Sequence, residues 1–419
     1  MNLNELLKTT VERRASDLHV KVGVPPILRI DGRLTPLETE KRTSQEDALN
    51  MAASIMNAAQ KARFAEKNEL DMAYAVPGLG RFRVNVFKQR GSVGMVFRQV
   101  PAKILNFEDL MLPTVLQKVA GEQRGLILVT GTTGSGKSTT LAAMIDFINA
   151  SRTANIVTIE DPIEFLHRDK KSIVNQREIG SDTFSFSDAL RSSLRQDPDV
   201  ILVGEMRDFE TISTALTAAE TGHLVLSTLH TLDAAETVNR LITVFPPYQQ
   251  KQVRMQFATV IKGIISQRLV ARADGNGRVP AVEIMLGTLS VREAIIDEAK
   301  TRQIPSIIAQ GLSHYSMQTF DQSLLMLYKK GLITYDEALL TASNPDDFAL
   351  KVKGIQSTSD LAEEEEELRR RGGRPAADTA PRPTGPARPA RPAQKEYEAK
   401  EYKKPSTDSD FKIDRFGEE

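Results

Sequence analysis

The sequence predicts an α/β fold: a mostly parallel sheet covered by helices, preceded by a smaller mixed α/β domain and followed by a disordered tail. Three observations predict it. Apolar runs of strand length alternate with longer helical segments from about residue 109 to 354. A glycine-rich loop follows the first of those runs, and the composition breaks after about Gly354. Such alternation is the pattern of helices packed over a parallel sheet.

Composition narrows the classes. A chain of 419 residues is too long for one ordinary core, so two or more domains are expected. Hydrophobic residues at 40% and charged residues at 26% have the balance of a soluble globular protein. Cysteine is absent, which excludes disulfides, thiol catalysis and Cys-ligated zinc and fits a reducing compartment. The segment Met1–Glu5 has no basic region leading into an apolar run, so no signal peptide is expected. The apolar stretches Leu126–Val129 and Val200–Val203 are strand-sized, well short of the roughly 20 residues that cross a bilayer. Direct membrane insertion is therefore not expected, and any membrane association comes through a partner. Lysine plus arginine equal aspartate plus glutamate at 55 each, and this neutrality speaks against a nucleic-acid partner.

Residues 1–100 read as the mixed domain. Asp17–Val22 alternates polar and apolar residues, the period of a half-buried strand. Ile27–Ile30 runs into Asp31-Gly32, a hairpin turn signal. Ser44–Lys67 is expected to be one helix with Ser44 as N-cap. Arg81–Phe87 and Val93–Val100 are strands joined through Gly91, and residues 101–108 form a connector. Within residues 109–354 the strands are Leu126–Thr130, Ile156–Ile159, Val200–Val203 and Leu224–Ser227, while Val253–Leu350 reads as largely helical. Residues 355–419 carry the acidic run Glu363–Glu367, then Arg369–Arg371, then a Pro/Ala/Arg-rich tract. Such a segment cannot bury enough apolar surface to fold alone.

The strongest chemical signal is Gly131-Thr132-Thr133-Gly134-Ser135-Gly136-Lys137-Ser138, set between a strand and a helix that opens through Thr139. This is a P-loop in its required context. Its glycines let backbone N–H groups turn toward phosphate oxygens, and the helix N-terminus adds favourable partial charge. Lys137 is expected to reach the β and γ phosphates of ATP, and the Ser138 hydroxyl to bind Mg²⁺.

Hydrolysis needs an acid that positions Mg²⁺ and another that orients or deprotonates water. Glu205, delivered by the apolar strand Val200–Val203, is the candidate for the first, holding Mg²⁺ through water. Ile159-Glu160-Asp161-Pro162-Ile163-Glu164-Phe165 places three carboxylates in five residues directly after a strand. Glu164 is the preferred general base there, with Glu160 close behind. Gly222–His230 puts His223 and His230 at either end of a buried strand, and His230 would lie near the γ-phosphate. Arg81, Arg83, Arg98, Arg195, Arg207 and Arg240 are candidate fingers for a neighbour's phosphate.

Together, Gly131–Ser138, Ile159–Phe165, Asp199–Glu205 and Gly222–His230 resemble the Walker A, Asp box, Walker B and His box of the secretion ATPase superfamily. Within it the chain resembles the type IV pilus retraction ATPases, the PilT-like motors, over residues 1–350. Thr158–Phe165, Leu202–Asp208, Thr217–His223 and Gly80–Asn85 carry that likeness. The resemblance implies a PAS-like N-terminal domain, a RecA-like P-loop ATPase domain and a homohexameric ring. It gives Glu164 the base role, Glu205 the Walker B role, His223 and His230 the His-box roles, and Arg81 and Arg83 the arginine fingers. It also implies an inner-membrane pilus platform protein as partner, with the motor cytoplasmic and peripheral at the inner membrane.

Two departures bear on the job performed. Retraction motors carry an Ala-Ile-Arg-Asn-Leu-Ile-Arg-Glu motif where this chain has Ser290–Asp297, so Ile296 replaces its second arginine. The tail is also additional. Assembly motors usually carry a tetracysteine zinc site, which a cysteine-free chain lacks. Pilus retraction is therefore the leading expectation. The alternatives are an accessory retraction paralogue, an extension or type II secretion ATPase, and, more remotely, a nucleic-acid translocase.

Overall fold

Residues 17–99 supply six antiparallel strands in the computed structural model, which describes residues 1–30, 32–101 and 103–354. The expected tail, Asp31 of the hairpin turn and Ala102 of the connector lie outside the described residues. The strands are β1 (Asp17–Val20), β2 (Ile27–Ile30), β3 (Arg33–Pro36), β4 (Glu69–Val76), β5 (Gly80–Gln89) and β6 (Ser92–Gln99), in the order β3-β2-β1-β6-β5-β4. Helices α1 (Leu3–Glu12) and α2 (Gln45–Ile55) pack on this sheet, and α3 (Ala58–Lys67) leads into β4. Phe82, Val84 and Val86 alternate along β5 and bury with Leu6, Leu7 and Met51, as one face of a half-covered sheet must.

The single helix expected over residues 44–67 is two helices. Ser44 caps the first, accepting from the Asp47 N–H at 3.0 Å while Asp47 accepts in return from the Ser44 N–H. Asn57 starts the second with the same reciprocal bonds to Gln60. Because Asn57 offers its backbone a cap in place of a helical turn, the chain breaks there. β4 was not anticipated either. It is an edge strand whose Leu70, Met72, Tyr74 and Val76 alternate toward the core, the period of a half-buried strand.

The second sheet has seven strands: β7 (Gly125–Thr130), β8 (Asn155–Glu160), β9 (Ile173–Glu178), β10 (Val200–Val203), β11 (Leu224–Leu229), β12 (Ile261–Ala271) and β13 (Arg278–Leu286). They lie in the order β13-β12-β7-β11-β10-β8-β9, all neighbours parallel except β12 and β13. Leu126 and Leu128 enter one buried cluster while Ile127 and Val129 enter the other, so β7 is covered on both faces. On one side lie α4 (Val115–Ala120) and α5 (Lys137–Ser151). On the other lie α6 (Phe186–Ser193), α7 (Phe209–Glu220), α8 (Ala234–Thr243), α9 (Pro247–Val260) and α10 (Leu289–Ile296).

The largely helical reading of Val253–Leu350 is corrected by β12 and β13. Helix α9 ends at Val260 and β12 begins at Ile261 with no breaker between them. A buried strand covered on both faces shows no period-2 signal, so its apolar run extends that of the preceding helix. β9 was also missed, because its sequence Ile-Val-Asn-Gln-Arg-Glu is polar and it pairs only with β8 at the sheet edge.

Candidate active site

Every parallel strand ends at the same edge of the second sheet, the edge where open α/β sheets place ligands. A cavity of about 440 Å³ lies there, lined from the P-loop, the residues after β8 and β10, His230 after β11, and the β12–β13 pair.

The P-loop leaves β7 at Thr130 and enters α5 at Lys137. Gly136 stands at the helix start with φ 95° and no side chain caps the first turn, which leaves the leading N–H groups directed at the cavity. A Cβ on Gly131 would come within 2.4 Å of the Gln267 carbonyl oxygen, and one on Gly136 within 2.7 Å of the Gln267 side-chain nitrogen. Only glycine lets the loop lie this close to β12. Ser135 Oγ is buried without a hydrogen-bond partner, behind the cavity wall. Thr133, Gly134, Gly136, Lys137, Ser138 and Thr139 line the cavity, whereas Gly131, Thr132 and Ser135 shape the loop behind it. This cradle fits a triphosphate.

Lys137 donates from Nζ to the carbonyls of Gly131 and Thr132, each at 2.9 Å. Burial holds its ammonium below the usual lysine range, and Glu164 and Glu205 oppose that shift. Both carboxylates are thus within electrostatic reach of the P-loop lysine.

Glu160 ends β8, where burial pushes its carboxyl up. One oxygen accepts from Thr158 Oγ1 at 2.7 Å and Gln176 Nε2 at 3.1 Å, and the other from the Glu164 N–H at 3.4 Å. Both its oxygens are therefore engaged in holding the strand tip, while the exposed Glu164 faces the cavity. The Asp161-Pro162 peptide between them is cis. Asp161 also lines the cavity, and burial and Glu205 raise its carboxyl while Arg83 draws it down.

Glu205 follows β10. Its Oε1 lies 2.8 Å from Arg207 Nε and its Oε2 3.6 Å from His230 Nε2. His223 is elsewhere. It precedes β11, with Nδ1 2.9 Å from the Ala218 carbonyl oxygen, and lines a separate pocket with Arg152 and Asp199. The six residues of β11 hold the two histidines at opposite ends of the strand, about 20 Å apart.

The arginines separate too. Arg81 pairs with Glu178 at 2.9 Å outside the cavity, and Arg83 stands near Asp161. Arg98 is taken up by Asp17 at 2.8 Å, and Arg207 by Glu205. Arg195 and Arg240 do not line the cavity.

Sequence reasoning missed Gln267, Leu269 and Arg278, which come from the two strands read as helical. Gln267 accepts from Thr140 Oγ1 at 2.8 Å. It also missed His167, a cavity residue whose imidazole burial pushes down to about 4. No spacing pattern marks any of these four residues.

The family model described as type II/IV secretion system protein matches residues 1–379. The chain belongs to the type II/IV secretion system protein family. Among family members it is 49% identical over 353 residues to the Pseudomonas aeruginosa type IV pilus retraction ATPase PilT, covering 83% of this chain and 100% of that one. A twitching motility protein of Neisseria gonorrhoeae is 47% identical over 341 residues, 81% of this chain and 90% of its own. The crystal structure of the pilus retraction motor PilT with bound ADP superposes with a TM-score of 0.77 at 46% identity, covering 83% of this chain and 98% of that one. The α/β ATPase fold is thus shared with a solved member of this secretion-system family. Where retraction motors carry their Ala-Ile-Arg-Asn-Leu-Ile-Arg-Glu motif, this chain has α10, in which Arg292 donates to the Gly287 carbonyl at 3.0 Å and Ile296 is exposed.

Proposed function

We propose that this protein is an ATP hydrolase that works as a homohexameric motor for type IV pilus retraction. The observation that carries it is the meeting of Lys137, Glu164, Glu205 and His230 at one cavity, in a chain that covers a PilT protein from end to end. The N–H groups opening α5 and the Lys137 ammonium hold the β and γ phosphates. Ser138, and Glu205 through water, would hold Mg²⁺. An ion held there would take one carboxylate, waters and phosphate oxygens as ligands. When bound, Mg²⁺ supplies charge neutralisation at those oxygens.

Glu164 takes the proton of the attacking water. Glu160 supports it by fixing the strand tip. His230, beside Glu205, reads the state of the γ-phosphate. His223 lies outside this cavity, so any part it takes in turnover runs through the ring. Of the two finger candidates, Arg83 stands beside a cavity acid and Arg81 is taken up by Glu178.

Residues 1–100 then form the PAS-like domain, 101–108 the linker and 109–354 the RecA-like ATPase domain. No helix among the described residues is long and apolar enough to cross a membrane. The motor is held at the inner membrane, on its cytoplasmic side, by the pilus platform protein.

The test is Lys137→Ala in cells, compared with a clean deletion. Retraction is expected to stop in both, with Mg²⁺-dependent phosphate release lost from the purified variant. Pili that retract normally with Lys137→Ala would sink this reading. Ile296 in place of arginine favours one second reading, an accessory or assembly motor. Deletion separates the two, because loss of a retractor leaves surface pili that do not move, whereas loss of an assembly motor leaves none.

A further inference from the structure

Glu178 is the last residue of β9, only 4% exposed, and takes no part in lining the cavity. Its carboxylate gathers donors from three segments. Oε2 accepts from Nη2 of Arg81 at 2.9 Å and from the backbone N–H of Ile163 at 3.1 Å. Oε1 accepts from Ser181 Oγ at 3.1 Å. Its own N–H donates to Asp182 Oδ2 at 2.8 Å, pinning the turn that follows. The register of the two strands sets Glu178 directly beside Glu160.

Burying a carboxylate this deeply costs free energy unless donors meet its lone pairs. Among the described residues Arg81 makes its one ion pair, and it comes from β5 of the other sheet, 97 residues away. Ile163 sits between Pro162 and Glu164. The oxygen that holds Arg81 is thus the oxygen that holds the residue before the proposed base. Withdrawing the guanidinium leaves the charge uncompensated and frees the carboxylate to turn toward water, which releases the Ile163 N–H. Movement of the first sheet then reaches Glu164 through the Arg81 side chain.

We propose that Glu178 is a positioning residue that ties the placement of Glu164 to the position of the N-terminal sheet, so that the Arg81–Glu178 contact gates hydrolysis. This rests on the ATPase reading above. Binding of nucleotide does not pass through the link, so the gate acts on turnover and leaves affinity alone.

A double-mutant cycle on the full chain tests it, with steady-state ATP hydrolysis, a fluorescent ADP analogue for binding, and thermal melting as a check on folding. Glu178→Ala is expected to lower kcat about tenfold with KM for ATP within about twofold. Arg81→Ala is expected to cost about fivefold in the parent and under about twofold in the Glu178→Ala background, because both changes cut the same link. If Glu178→Ala does not fold, Glu178→Gln takes its place. It keeps an acceptor for Ile163 and loses the charge that holds Arg81, so Arg81→Ala should again add little. Equal costs of Arg81→Ala in both backgrounds would overturn the proposal, as would an unchanged kcat in Glu178→Ala. Lys137→Ala is the control: if it is inactive while the cycle is additive, only the gate fails. If it turns over like the parent, the ATPase reading itself fails.

Discussion

Thr140 donates its hydroxyl to Oε1 of Gln267 at 2.8 Å, joining the first turn of α5 to a strand 127 residues further along the chain. Both groups are buried. The same glutamine lies against Gly131 through its carbonyl oxygen and against Gly136 through its side-chain nitrogen. One residue of β12 thus sets the height of the whole P-loop.

Replacing it should be felt in stability and in binding. Gln267→Leu leaves the Thr140 hydroxyl buried without an acceptor, at a cost of about 1–3 kcal/mol. The midpoint of urea unfolding should fall accordingly, and the ADP analogue should bind about tenfold more weakly as the loop loses its brace. Unchanged affinity would show that the loop holds its shape without β12.

Gly131→Ala should be worse. Its methyl would meet the Gln267 carbonyl oxygen at 2.4 Å, backbone that cannot swing aside, at a residue with φ of 140°. Overpacking and backbone strain of this kind each cost about 1–3 kcal/mol. The expected outcome is a lower melting temperature with no measurable nucleotide binding, and a variant that binds like the parent would contradict it.

The two carboxylates should separate binding from chemistry. Glu164→Gln keeps the shape and removes the base, so turnover is expected to fall by about 10²–10⁴ while the ADP analogue binds normally. Glu205→Ala should also abolish hydrolysis, and it leaves Arg207 and His230 without the carboxylate they flank. Phosphate release at saturating ATP checks both, and parental turnover in either removes that residue from its assigned role.

Glu283 predicts a pH dependence of stability. It lies on β13, accepts from the Ala234 N–H at 2.8 Å, and is faced by Asp233, Arg268 and Ser266. Burial pushes its carboxyl from 4.5 up to about 7. The folded protein therefore favours the protonated form. The stabilisation is complete below about pH 4.5 and is lost as pH rises toward 7, amounting to about 3 kcal/mol. In Glu283→Gln that component disappears. Melting curves between pH 5 and 8 should converge at the acid end and show the parent falling below the variant at the alkaline end.

Much of the chemistry is legible in the sequence because it sits in contiguous motifs. Each of Gly131–Ser138, Glu160–Glu164 and Glu205 follows directly on an apolar strand, so one local pattern supplies both the strand and the place where its tip delivers the side chain. Helix α2 was legible at its start for the same reason, since the Ser44 cap is a local bond. Its end was hidden because the second cap at Asn57 interrupts no apolar period.

Periodicity and turn residues act over a few positions, so the amino-acid order alone specified the fold class, the P-loop, both acid-bearing strand tips and His230. Sheet order, by contrast, follows from how helices cover both faces of β7, and that packing chose the distant partners. It placed Gln267 under the P-loop and joined Arg81 to Glu178. Contacts between segments a hundred residues apart leave no local spacing to read, because their geometry is created only when the strands meet.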